Sequence, residues 1–115
     1  MTIHFYIRFY TRPGESLAVT GNTVELGNNT IEHAVPLTWQ TNEFWTGTVH
    51  INGPITEPIR YKYIYKGTDG VSIPEWEDGK CIDIHPGVEE MNLVDIWNRR
   101  LAWLDRFLRP QPTQQ

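Results

Sequence analysis

The stretch Ile59 to Asp78 reads IRYKYIYKGTDGVSIPEWED. In an extended chain Ile59, Tyr61, Tyr63 and Tyr65 fall on one side, and Arg60, Lys62, Ile64 and Lys66 fall on the other. That alternation predicts a strand with an aromatic face for a core and a cationic face for water. Gly67-Thr68-Asp69-Gly70 is a turn signal, and Val71 to Trp76 is a short run that returns beside the first. The stretch therefore reads as a β-hairpin. It ends in Glu75-Trp76-Glu77-Asp78, a tryptophan among carboxylates, a setting in which a large aromatic is exposed for binding. Register decides the matter. With Gly67 to Gly70 as the whole loop, Lys66 faces Val71, Lys62 faces Glu75, and Trp76 shares the tyrosine face with Tyr61. A one-residue shift in the return strand places Trp76 beside Lys62 on the outer face. Pro74 makes such a break easy because it donates no ladder hydrogen bond. The binding reading requires that shift.

Outward from the hairpin, the chain is a succession of short alternating runs. Ile3 to Thr11, Ser16 to Gly21, Ala34 to Trp39, Trp45 to Ile51, Ile82 to Ile84 and Met91 to Ile96 each read as strands, separated by Gly, Pro and Asn. Pro36 marks its strand as an edge. Trp45 shares a face with Val49 and Ile51 and is assigned to the core. Short strands at near-regular spacing predict an all-β fold, an antiparallel β-sandwich. The tail differs. Trp97, Leu101, Leu104 and Leu108 recur with helical periodicity, so an amphipathic helix is expected from Trp97 to Leu108, before Pro110 and Pro112. The expected organisation is one sandwich over residues 1–97, followed by a helix and a Pro/Gln tail or linker over 98–115.

Composition narrows the function. Net charge is −4, which argues against a nucleic-acid partner. No apolar run approaches the ~20 residues of a membrane span. Cys81 is the single cysteine, so no internal disulfide can form. Met1 to Tyr10 reads as a strand and not as a signal peptide, so a cytoplasmic protein is expected. His4, His33, His50 and His85 show no metal-ligand spacing, no phosphate-binding glycine loop is present, and no metal or other cofactor is expected.

GESLAVTGNTVELGN, AVPL, FWTGTV, IRYKYI and PEWEDG follow one another in an order and spacing that resembles the starch-binding domain, carbohydrate-binding module family 20. The resemblance covers Ile3 to Trp97. It implies an immunoglobulin-like sandwich of about seven or eight strands. It also implies non-catalytic binding of α-1,4-glucans such as starch, glycogen and maltooligosaccharides, beside an attached or partner catalytic domain. A 4-α-glucanotransferase of glycoside hydrolase family 77 is the parent the resemblance points to. Carried over by position, Lys62 and Trp76 hold the sugar at a first site, with Glu77 beside them. Where the family has a second tryptophan after its LGN motif this chain has Asn29, so one stacking platform is missing. At the family's second site, Ala18 replaces a tyrosine, and Trp39 is the loose match to the other aromatic.

The chemistry is intelligible without the family. One face of a glucose ring presents C–H bonds, and a flat indole covers it. The rim is hydroxyls, which need partners once desolvated. Lys62 supplies donors, Glu77 acceptors and Asn29 both. Two other classes compete. Glu75, Glu77 and Asp78 are carboxylates of the kind glycosidases use in pairs, but a sandwich this small predicts no deep cleft. A protein-interaction sandwich anchored by Trp76, with no sugar ligand, is the alternative.

Overall fold

The computed structural model describes residues 1–41, 43–75 and 79–97. The expected helix over Trp97 to Leu108 lies outside them, apart from Trp97 itself. Strands β1 (Thr2–Arg8), β2 (Ser16–Gly21), β3 (Val35–Pro36), β4 (Thr38–Trp39), β5 (Phe44–His50), β6 (Ile59–Lys66), β7 (Ser72–Pro74), β8 (Lys80–Ile82) and β9 (Glu90–Ile96) form two sheets. One has the order β4-β5-β1-β9. The other runs β3-β2-β6, and β7 and β8 both pair with β6.

The alternation seen in the sequence is the alternation of burial. Ile3, Phe5 and Ile7 of β1, Leu17 and Val19 of β2, Val49 of β5, Tyr61 and Tyr63 of β6 and Leu93 of β9 meet in one core. Removing side chains of this kind from water contributes about 1.5–3 kcal/mol each. Phe5, Tyr61 and Tyr63 pack edge to face, with centroids 5.4 to 6.3 Å apart. Both phenols donate to Asp95 Oδ2, at 2.7 and 2.8 Å, which ties β6 of one sheet to β9 of the other.

Three expectations need correction. The sandwich is not antiparallel throughout, because β1 and β9 pair in parallel. The single strand expected from Ala34 to Trp39 is two short strands in different sheets. Leu37 makes the crossing: its N–H bonds Leu17 O at 2.9 Å, and its side chain enters the core. Gly47 makes room for it, since a Cβ there would lie 2.5 Å from Leu37 Cδ2. Ile64, expected on the cationic face, is buried between Ala18 and Pro74 on the neighbouring strands. Trp97 is the last described residue. It sits in a turn after β9 and packs edge-on against Phe9, 5.2 Å between centroids.

Candidate functional site

The outer face of β6 carries a groove of about 290 Å³ lined by Thr20, Asn29, Ile31, Lys62, Ile64 and Pro74, among others. Its wall is the connection from β2 to β3, which local hydrogen bonds hold firmly. Thr20 lies opposite Lys62, and its buried hydroxyl donates to Leu26 O at 2.7 Å. Thr23 caps the short 3-10 turn Val24–Leu26. Asn29 N–H donates to Gly21 O at 2.7 Å, and Asn28 and Asn29 both adopt left-handed φ, 52° and 62°. Asparagine tolerates that conformation better than most residues. The turn thus leaves Asn29 exposed at the rim of the groove, and Ile31 beside it presents an exposed aliphatic side chain.

Over the described residues the hairpin carries the one-residue shift that the sequence raised. Lys66 faces Ser72, Tyr65 faces Ile73 and Ile64 faces Pro74, so the return strand is already shifted by one residue at the turn. Glu75 continues this register. Its N–H donates to Tyr63 O, and its Oε1 accepts from Tyr63 N–H, both at 2.9 Å. The next described residue, Gly79, packs against Tyr61 O and Lys62 Cβ, and Lys80 pairs with Tyr61. Tyr63 and Tyr61, the β6 residues that Glu75 and Lys80 meet, stand on either side of Lys62. Trp76 and Glu77 themselves lie outside the described residues. Glu75 is committed to the fold: it is buried, and its Oε2 accepts from Lys80 Nζ.

A second groove, of about 450 Å³, lies away from Lys62. It is lined by Tyr10, Arg12, Pro13, Glu15, Trp39 and Trp45, together with Thr11 and Gly14. Trp45 is buried as expected, and its Nε1 donates to Thr11 Oγ1 at 3.1 Å. Trp39 is 51 % and Tyr10 72 % exposed. Glu15 accepts from Arg12 N–H at 2.7 Å and from the Tyr65 hydroxyl at 2.6 Å. These bonds, the Arg12 amide foremost, hold its carboxyl below the ordinary value, and the Tyr65 phenol is raised chiefly by the same carboxylate.

Of the residues singled out from the sequence, Lys62 and Asn29 share the first groove and Trp39 belongs to the second. Sequence reasoning missed Ile31, Tyr10 and Arg12. Ile31 and Tyr10 are large apolar residues inside Asn- and Pro-rich connections, which is where exposure was to be expected. Among the described residues no cluster of His, Cys, Asp and Glu could hold a metal ion.

Both grooves set apolar surface next to donors and acceptors on the sides of a two-sheet sandwich. A family profile described as starch binding domain matches residues 1–85. The chain belongs to the starch-binding domain family, a non-catalytic carbohydrate-binding module. Among solved structures it is similar to the glycoside hydrolase family 15 glucoamylase from Hypocrea jecorina, with 27% identity and TM-score 0.68 over 86% of this chain. It is also similar to the glucoamylase of Hormoconis resinae, with 28% identity and TM-score 0.67 over 84% of the chain. The chain spans only 17% of either glucoamylase. The family 20 module of a maltotetraose-forming amylase from Pseudomonas saccharophila shares the fold at 18% identity and TM-score 0.64, and there the match covers 84% of this chain and 100% of that one. No curated protein matches the chain.

Proposed function

We propose that the Lys62 groove is the principal α-glucan site of this starch-binding module. Lys62 and Asn29 bond the sugar hydroxyls, Trp76 is the stacking platform and Glu77 accepts from the rim. The observation that carries this reading is the register of the hairpin, which sets Glu75 against Tyr63 and Lys80 against Tyr61, the two neighbours of Lys62. Asn29 stands where the family has an indole and Ile31 gives that wall an aliphatic surface, so the sugar meets one aromatic face instead of two. Trp39 supports a second, weaker contact in the other groove, with Tyr10 as its neighbour. Starch, glycogen and maltooligosaccharides share the α-1,4-linked chain that open side grooves can receive. The module holds a glucan-active enzyme at that chain, and the solved relatives that carry similar domains are such enzymes by name. A 4-α-glucanotransferase parent in the cytoplasm belongs to the same proposal, and the exposed thiol of Cys81 suits a reducing compartment.

The test is a β-cyclodextrin titration read by tryptophan fluorescence and calorimetry on the full chain and on Trp76→Ala. The loss of a central aromatic anchor should cost about 2 kcal/mol or more of binding while the fold survives. Unchanged binding by Trp76→Ala would remove Trp76 from the site. Failure of the parent to be retained on amylose would favour the protein-interaction reading instead.

A further inference from the structure

A second cation lines the Lys62 groove. Arg60 lies two residues earlier on β6. Residues two apart on a strand project to the same face, so the two side chains stand together on the outside of the sheet, their Cα atoms roughly 6.5 Å apart. The backbone of Arg60 is held by Asn22. Its N–H donates to Asn22 Oδ1 and its C=O accepts from Asn22 N–H, both at 3.0 Å, while Asn22 Nδ2 donates to Pro58 O at 3.1 Å. Gly21 permits this approach, since a Cβ there would lie 2.7 Å from Arg60 O. The side chain is left exposed, opposite the small Cys81 of β8. Arg8 and Arg12 pair with Glu43 and Glu15, whereas the Arg60 guanidinium makes no hydrogen bond or ion pair among the described residues.

A guanidinium presents its donors as a planar fork, which suits two adjacent acceptors, whereas an ammonium is a compact donor. Every internal unit of an α-1,4-glucan offers such a pair in its neighbouring 2- and 3-hydroxyls. We infer that Arg60 is a specificity-determining residue of the glucan site: its fork binds the paired hydroxyls of the glucosyl unit next to the one held at Lys62, and so makes the site respond to chain length. The inference rests on the Lys62 groove being the sugar site. Because Asn22 fixes the backbone beneath it, only the Arg60 side chain has to be ordered when sugar binds. Asn22 also lines a third groove, of about 210 Å³, with Asn52, Thr56 and Glu57 among its other residues. A chain that passes Arg60 therefore meets further donors and acceptors.

The experiment is calorimetry with maltotriose and with maltoheptaose. The full chain carries Trp39→Ala as background, so that the Lys62 groove is read alone, and is compared with the same chain bearing Arg60→Met, Arg60→Lys or Lys62→Met. Met keeps most of the stem and removes the donors. For Arg60→Met the expected result is maltoheptaose affinity lower by about fivefold or more, with maltotriose affinity within about twofold of the background and an unchanged melting temperature. Arg60→Lys, which keeps the charge without the fork, should recover only part of the loss. The inference is overturned if Arg60→Met binds maltoheptaose like the background, or if both sugars weaken equally. It is also overturned if Arg60→Lys binds like the background, since the fork would then be dispensable, or if Arg60→Met melts far lower or fails to fold, since Arg60 would then serve the fold. If Lys62→Met binds both sugars like the background, the sugar site itself is misplaced. If Lys62→Met weakens both and Arg60→Met neither, the site stands and only the role of Arg60 is withdrawn.

Discussion

Trp39 and Trp45 face each other across the β4–β5 pair, yet Trp39 is 51 % exposed and Trp45 only 7 %. Directly opposed residues project to the same side of a sheet. Both line the second groove, one as its wall and the other at its base, where Trp45 is anchored to Thr11. Substitution should separate the two roles. Trp45→Ala should destabilise the domain by about 3–5 kcal/mol, as large core truncations do. Trp39→Ala should leave stability within about 0.5 kcal/mol and reduce the calorimetric stoichiometry for maltoheptaose. An unchanged stoichiometry would withdraw Trp39 from sugar binding.

Lys62 is half-buried on the outer face of β6, opposite Thr20. Lys62→Met keeps the stem packed and removes the charged donor. A hydrogen bond from a charged group is worth about 1.5–3 kcal/mol, so affinity for β-cyclodextrin should fall by roughly tenfold or more. Thermal stability should change little. A large drop in melting temperature would instead assign Lys62 to the fold.

The missing indole can be restored in two places, and backbone geometry predicts different outcomes. Asn29 holds φ 62°, and residues other than Gly, Asn and Asp pay about 1–2 kcal/mol to sit there. Asn29→Trp should therefore gain affinity but lose stability by that order. Ile31 lies in the 3-10 turn Ile31–His33 and faces the same groove. Ile31→Trp should gain a stacking contact of about 0.5–1.5 kcal/mol without the strain. Calorimetry with maltoheptaose, paired with thermal melts, checks both. Equal stability of the two variants would contradict the argument.

The bond between Glu15 and Tyr65 makes a prediction at both ends of the pH scale. Glu15 titrates below its ordinary value in the folded protein, because the Arg12 amide and the Tyr65 hydroxyl favour its charged form. Its contribution is present above the unfolded carboxylate pKa and is lost as pH falls through the lowered folded value. Tyr65 is raised, so its contribution is present below the ordinary phenol pKa and lost as pH rises through the folded value. Glu15→Gln should flatten both limbs of a stability–pH profile, and Tyr65→Phe chiefly the alkaline one, since the Arg12 amide still favours the charged Glu15. Profiles that superimpose on the parent's would show that the bond does not persist in solution.

The alternation of Ile3, Phe5, Ile7 and of Tyr61, Tyr63 was enough to name the core, because one buried face imposes a period of two. The crossing at Leu37 was not legible, since a run from Ala34 to Trp39 looks the same whether it stays in one sheet or changes sheets. Nor was the burial of Ile64, which follows from its neighbours on two other strands and not from its own alternation. The parallel pairing of β1 with β9 joins segments too distant for any local pattern to reveal. At the site, Lys62 was legible from outward alternation and Asn29 from its turn. Ile31 was not, because its exposure depends on how Thr20 and Gly21 hold the loop around it.

The pairing of Thr2 with Glu90 has a consequence for the order of events during synthesis. β1 is made before the other strands of the sandwich, yet one of its edges has no partner until β9 follows. Before then Tyr61 and Tyr63 also lack the Asp95 oxygen that their hydroxyls share. A nascent chain ending near residue 85 would expose an apolar strand edge, which invites pairing with other chains. Closing so long a loop is slow. The domain therefore becomes safe from aggregation only once residue 96 has cleared the ribosome, and chains truncated before β9 should be recovered as insoluble protein.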